Sequence, residues 1–212
     1  QTDVFSFATS CTSSAQAIGY AYKMLKSGMY EKALVIGFEM FNRLTFEHFQ
    51  AMNLLSQEAQ YSPLTNPTGI VLGEGIGCVA LSTQPNPQLP CEIVGVTPLT
   101  DNENLTNSSE SALRNLINAS LNNANFMPAD IDGVKVHGVG GNSDEMELRV
   151  LQEIFPHAQW LSIKTQTGHT LGASGALESA ILFNQLKSEL QKCGRFLNYF
   201  LGFGGSNIAW VL

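Results

Sequence analysis

The sequence predicts an α/β fold, and three observations carry that prediction. Residues 4–8 alternate and are aromatic-rich, as a strand is, and they run into the hydroxyl-rich stretch Thr9-Ser10-Cys11-Thr12-Ser13-Ser14, which suits a helix N-terminus. Ala15, Ile18, Tyr22 and Leu25 then recur at helical spacing, and the apolar run 33–38 follows. Strand, helix and strand in that order are the α/β signature, and a second strand-then-helix unit begins at Val134.

The first helix is expected over residues 13–27, because Gly28 supplies a stop. Residues 45–54 read as a short helix, and 61–68 as a loop rich in Pro, Asn and Thr. In the following segment, 69–81, the regular glycines predict backbones that approach closely. Pro85, Pro87 and Pro90 mark a connector, the one expected seam, dividing the chain into residues 1–87 and 88–212. A strand starts at 92–96, and the polar run 101–111 caps a helix with Leu113, Leu116, Ile117 and Leu121 on one face. Residues 134–136 form a strand ending at His137, 145–154 a helix and 160–163 a strand. The small-residue-rich segment 172–190 forms a helix able to pack tightly, and the last strand is 207–212.

Composition narrows the function. The 212 residues carry a net charge of −7, and 14% are charged, against about 25% in ordinary soluble domains. Low charge and ample aliphatic content exclude a disordered chain, and no basic stripe offsets the acidic balance, which excludes a non-specific nucleic-acid binder. No apolar run reaches the roughly 18 residues of a membrane span, and no leader peptide is legible, so a cytoplasmic protein is expected. Cys11, Cys78, Cys91 and Cys193 are scattered without a CxxC pair, which fits neither a zinc site nor a disulfide scaffold and indicates a reducing compartment. The Asn-x-Ser/Thr triplets at Asn104, Asn107 and Asn118 then carry no meaning.

A cysteine at a strand-to-helix junction is favourably placed to be a nucleophile, because backbone N–H groups and the helix dipole stabilise its thiolate. Cys11 is therefore the first candidate; the alternative is a small buried residue at a tight turn. His137 and His169 each follow a strand in a glycine-rich context, with Lys164 between them, and active sites of α/β folds gather at the carboxyl ends of strands. Either histidine alone is more often a satisfied structural residue; two at strand ends with a lysine between them point to a site. His48, on an expected surface helix, and His157, after Pro156, lack this context. Gly202-Phe203-Gly204-Gly205-Ser206-Asn207 is a glycine turn whose free N–H groups suit an oxyanion site.

Taken together, Thr9-Ser10-Cys11-Thr12-Ser13-Ser14, Gly73-Glu74-Gly75-Ile76-Gly77, Asp130-Ile131-Asp132-Gly133-Val134 leading to His137-Gly138, Lys164 before Gly168-His169, and Gly202-Phe203-Gly204-Gly205-Ser206-Asn207 resemble, in that order, the β-ketoacyl synthases. These are the Claisen-condensing enzymes of fatty-acid and polyketide synthesis, with a thiolase-like, layered αβαβα fold. The resemblance covers nearly the whole chain and implies the end of the N-terminal half followed by a shortened C-terminal half; most of the N-terminal half, which precedes the nucleophile in the family, is expected to be lacking from this sequence, where ten residues precede Cys11.

The resemblance further implies that Cys11 accepts an acyl group from a carrier-protein thioester. His137 and His169 bind the malonyl thioester and promote its decarboxylation, and the N–H groups of Cys11 and Phe203 form the oxyanion hole. Phe203 also resembles the family's gating aromatic. Lys164 orients the histidine network, with a carboxylate partner placed at Glu147. No cofactor is implied beyond the 4'-phosphopantetheine that arrives on the acyl carrier protein. Assembly as a homodimer, or as a heterodimer with another ketosynthase-like subunit, is expected, with residues 4–8 as the candidate contact. Val139 and Gly141 stand where family members usually have threonines that contact the pantetheine arm, and the segment from His169 to Phe203 lacks the usual proline-rich connector and extra strand. These departures motivate an alternative, a non-catalytic partner subunit resembling a chain-length factor. A thiolase would need a second cysteine as base, and Cys193 precedes a turn rather than sitting in a glycine motif.

Overall fold

The computed structural model describes residues 3–58, 60–86, 91–103, 108–188 and 194–212. Cys193, Asn104, Asn107, Pro87 and Pro90, all singled out in the sequence, lie outside the described residues. Chain order is a single 3-10 turn at Ser10–Thr12, α1 (Ser13–Lys26), β1 (Lys32–Glu39), α2 (Arg43–Ala51), β2 (Gly75–Ser82), β3 (Val94–Thr100), α3 (Glu110–Ala124), β4 (Gly133–Lys135), α4 (Asp144–Ile154), β5 (Gln159–Leu161), α5 (Lys164–Thr167), α6 (Ser174–Ser188), β6 (Phe196–Phe200) and β7 (Ser206–Val211). No helix among the described residues is long and apolar enough to cross a membrane.

Two sheets organise these elements. β1 and β2 pair antiparallel, and the second sheet has the order β3-β7-β6-β4-β5, with β6, β4 and β5 mutually parallel. The carboxyl ends of β4, β5 and β6 therefore share one edge, where His137, Lys164 and Phe203 follow their strands. α1 and α6 lie between the sheets: Ala15, Ile18 and Ala176 pack against Val35 and Val79 of one sheet and Phe200, Ile208 and Trp210 of the other. α3 and α4 cover the opposite face of the larger sheet through Leu113, Leu116, Ile117, Leu121, Val150 and Leu151. The order is thus sheet, helices, sheet, helices, four layers of the thiolase-like arrangement.

Close approach of the two central helices follows from their small residues. A Cβ on Gly175 would lie 2.0 Å from the Ala15 nitrogen, and one on Gly77 would lie 2.3 Å from the Leu177 Cα, so α6 sits directly against both α1 and β2. Gly73 would likewise meet the Thr167 carbonyl oxygen at 1.9 Å. This is the backbone proximity that the glycine run predicts. α3 shows its sequence logic equally plainly: Ser109 accepts a hydrogen bond from Ala112 N at its start, and Asn125, at φ 58°, ends it in the left-handed conformation.

Three elements differ from expectation. Residues 4–8 form no strand and join no sheet; Val4 and Phe5 are exposed, and Phe5 and Phe7 rest on the Tyr20 ring. Alternation supplies a strand's pattern, yet a strand also needs a neighbour to bond. β3 continues through Pro98, which an edge strand tolerates because its outward N–H is not needed. β6, which the sequence reading lacks, runs through the buried Asn198 and completes the core between β4 and β7.

Candidate active site

The hydroxyls around Cys11 build its turn. Thr12 Oγ1 donates to the Thr9 carbonyl at 2.9 Å and Ser13 Oγ to the Ser10 carbonyl at 2.7 Å, while Ser14 Oγ reaches across to the Gly172 carbonyl at 2.7 Å. Ser10 is held at φ 53°, a conformation costly for a non-glycine residue and found where surrounding bonds enforce it. Cys11 is thereby buried at the start of α1. Burial pushes its thiol up to about 11, opposed by the Phe203 N–H, the Lys164 ammonium and its own N–H. The two N–H groups expected to form an oxyanion hole thus both act on the Cys11 sulfur.

His137 and His169 meet each other, their rings 5.7 Å apart and nearly perpendicular. Leu201 N–H donates to His137 Nδ1 at 3.5 Å, which leaves the ring proton of neutral His137 on Nε2. His169 Nδ1 lies 3.4 Å from Ser174 Oγ, and the His169 backbone is pinned by its N–H to the Val71 carbonyl and by Gly73 N–H to its own carbonyl. Burial, reinforced by Lys164, holds His137 well below the usual histidine range and His169 down to about 3. Both rings are neutral at physiological pH.

Lys164 is paired with Glu178, not with Glu147. Its Nζ is 2.7 Å from Glu178 Oε1, a close ion pair without hydrogen-bond alignment, and Lys135 Nζ donates to Oε2 at 2.7 Å. All three side chains are buried. Glu147 instead accepts from the backbone N–H of His137 at 2.7 Å and of Gly138 at 2.9 Å, and from the Tyr199 hydroxyl. It faces the backbone because α4 begins one turn after the loop and its first carboxylates meet that loop's free N–H groups. Asp144 completes the cradle, accepting from Val139, Gly140 and Leu64 N–H. Glu147 therefore positions His137 through the main chain.

Phe203 stacks on Phe49 of α2, rings 5.7 Å apart and 11° from parallel. Val139 joins the same apolar cluster with Phe49 and Ile70, and Gly141 leaves only ordinary contact distances open beside Val139 and Ile70. His48 and His157 are exposed and outside the site, as are Cys78 and Cys91. Sequence reasoning missed Glu178, Lys135, Tyr199 and Asp144. A lone carboxylate in the small-residue run of α6 and a lysine inside an apolar strand were the available signals for the first two.

A buried cysteine at a helix start, a neutral histidine beyond β4 facing a second one between α5 and α6, and a glycine turn before the last strand, on two sheets around a shared helical layer, define a thiolase-like fold. Residues 3–86 match the beta-ketoacyl synthase N-terminal domain and residues 91–191 the beta-ketoacyl synthase C-terminal domain. The chain belongs to the β-ketoacyl synthase family. It is 30% identical over 195 residues to 3-oxoacyl-[acyl-carrier-protein] synthase 2 of Coxiella burnetii, covering 83% of this chain and 47% of that protein. To nodulation protein E of a Rhizobium species it is 28% identical, covering 82% and 46% respectively. The chain spans about half the length of these curated relatives. Among solved structures, a ketosynthase (ApeO) in complex with its chain length factor (ApeC) from Xenorhabdus doucetiae superposes with TM-score 0.84 at 25% identity, over 98% of this chain and 59% of that one. A beta-ketoacyl synthase from Burkholderia phymatum shares the fold with TM-score 0.86 at 23% identity, over 96% and 60%.

Proposed function

We propose that the protein is a β-ketoacyl-acyl-carrier-protein synthase in fatty-acid or polyketide-type synthesis. The observation that supports this best is the meeting of the neutral pair His137 and His169, with Lys164 acting electrostatically on both rings and on the Cys11 thiol. The Cys11 thiolate attacks an acyl thioester on the carrier protein, forming acyl-cysteine and releasing the pantetheine thiol, which takes the proton. Malonyl thioester bound at the histidines loses carbon dioxide, and the electron pair left behind forms an enolate whose oxygen accepts from the imidazole N–H groups. The enolate carbon then attacks the acyl-cysteine carbonyl, whose developing oxyanion meets the N–H groups of Cys11 and Phe203. Collapse of that intermediate expels the Cys11 thiolate and leaves a β-ketoacyl thioester on the carrier.

Lys164 acts here by orienting the histidine pair, and Phe203 by guarding the approach to Cys11. The partners in this reading are an acyl carrier protein bearing 4'-phosphopantetheine and a second ketosynthase-like subunit, identical or not, in the cytoplasm. No other cofactor enters the reaction. Incubation with acyl-carrier protein, or with a cerulenin-type inhibitor, followed by mass spectrometry is expected to show an adduct on Cys11 that is absent from Cys11→Ala. A folded protein in its native assembly that never acquires the adduct would refute the proposal. Such a result would favour the chain-length-factor-like reading, which draws support from the hydroxyl-free Val139 and Gly141.

A further inference from the structure

Ser14 stands in the first turn of α1, three residues beyond Cys11, and it is buried. Its hydroxyl does not serve the local turn, as those of Thr12 and Ser13 do. It donates to the Gly172 carbonyl at 2.7 Å and accepts from the Ala176 N–H at 3.0 Å, partners 158 and 162 residues further along the chain.

Both partners belong to the start of α6. A helix leaves its first N–H groups without partners of its own, and a serine, threonine, aspartate or asparagine just before the first turn ordinarily accepts from one of them. Ala173 stands in that place and has no side-chain oxygen. Ser14 fills the role from another helix, taking the N–H of the third residue of α6. Gly172 is fixed from its other side as well, because its N–H donates to Glu39 Oε2, at the end of β1, at 3.1 Å. Gly37 of the same strand leaves Ser14 its room: a Cβ there would lie 2.7 Å from the Ser14 Cβ.

The start of α6 that Ser14 caps is also the one that holds His169. Ser174 Oγ lies 3.4 Å from His169 Nδ1 and 3.3 Å from Thr170 Oγ1, all within the buried interior. One hydroxyl, three residues from the nucleophile, thus ties the Cys11 turn to the helix start that bears on the histidine ring.

We propose that Ser14 is a positioning residue for the condensation: by capping α6 from α1 it fixes the turn that carries Cys11 against the turn that carries His169. This inference rests on the condensing function proposed above. In that reaction the two groups act together only in the second half, when the enolate held at the histidines attacks the acyl-cysteine. Acyl transfer to Cys11 uses the Cys11 turn and the Phe203 N–H. Slippage between the two turns therefore falls on condensation, where a misplacement of about 1 Å can cost about a hundredfold in rate.

The test compares Ser14→Ala with Ser120→Ala in the native assembly. Ser120 is a buried serine of α3 whose hydroxyl likewise donates to a carbonyl, that of Gly95 at 2.9 Å, on the far face of the larger sheet. Acylation is followed by mass spectrometry of the Cys11 peptide, condensation by formation of the β-ketoacyl product, and ring placement by nuclear magnetic resonance of the histidines. Ser14→Ala should slow condensation about ten- to a hundredfold through kcat, alter acylation by less than about threefold, and move the His169 ring signals. Ser120→Ala should lose stability without any of these changes. Equal slowing of both half-reactions, or unchanged condensation in a folded Ser14→Ala, overturns the inference. Should Ser14→Ala fail to fold, Ser14→Cys, close in shape but a poorer donor and acceptor, decides by the same criteria. A protein whose Cys11 is never acylated refutes the proposed function, and the ring signals then judge Ser14 alone: His169 displaced in Ser14→Ala and unmoved in Ser120→Ala supports the inference, and any other pattern overturns it.

Discussion

Replacing Glu178 by Gln keeps the shape of the side chain and removes the only carboxylate that either buried lysine pairs with among the described residues. Breaking a buried ion pair on one side costs about 3–5 kcal/mol, because the remaining charge stays desolvated. A second route gives the same order. Lys135 and Lys164 hold the Glu178 carboxyl down at about 2, against an ordinary 4.5, even though burial opposes them. A depression of that size corresponds to about 3 kcal/mol of stability. Its sign is that of a lowered carboxylate: the contribution is fully present above pH 4.5 and disappears as pH falls towards 2. Urea unfolding followed by circular dichroism, from acid to neutral pH, is the direct assay. Glu178→Gln should lower stability at neutral pH by about 3–5 kcal/mol, or roughly 6–20 °C in melting temperature, and should lack the acid limb. A variant within about 1 kcal/mol of the parent, with an unchanged acid limb, would refute a charged cluster. Lys135 adds a second slope of the same sign at alkaline pH: with its value lowered to about 8 from 10.5, the unfolded chain binds more protons between those values, and stability should rise across them.

Cys11 should be alkylated by iodoacetamide at a rate that climbs about tenfold per pH unit towards pH 11. Lys164→Met should displace the curve upward, whereas a plateau at the ordinary thiol value of 9.0 would contradict the burial-dominated environment. Gly175→Ala should destabilise by at least about 1–3 kcal/mol, since its methyl would fall 2.0 Å from the Ala15 nitrogen. Chemical denaturation reads this directly, and a change within about 0.5 kcal/mol would mean that α1 and α6 are not in backbone contact.

What was legible in the sequence was whatever local chemistry decides. The hydroxyls of Thr9, Thr12 and Ser13 announced the Cys11 turn because each makes a short-range bond there, while Ser14 reaches further. Spacing of Leu113, Leu116, Ile117 and Leu121 fixed the buried face of α3, since all four are buried. What was illegible depends on residues distant in the chain. β6 is a strand because β4 and β7 flank it, and Asn198 within it blurs the apolar pattern. The partner of Lys164 was misplaced for the same reason. Glu147 is close to His137 in sequence, but its oxygens are taken up by backbone N–H groups, while Glu178 arrives from the face of α6 that looks onto β4.

The low charge of the chain acquires a location in the structure. Leu34, Ile36 and Phe38 alternate along the outward face of β1, Ile76 joins them on β2, and all four are more than half exposed. Burying such side chains is worth about 1.5–3 kcal/mol each, so a surface that covers all four would gain about 6–12 kcal/mol, comparable to the whole stability of an ordinary domain. A continuous apolar face of this kind marks an interaction surface. The candidate site lies on the other side of the same sheet: Cys11 precedes α1 and Glu178 is on α6, and these helices pack on the inward face, α1 against Gly37 and α6 against Gly77. Whatever covers the outward face, from a longer chain or a second one, would thus gain its stability through β1 and β2, on the side of the sheet away from α1 and α6.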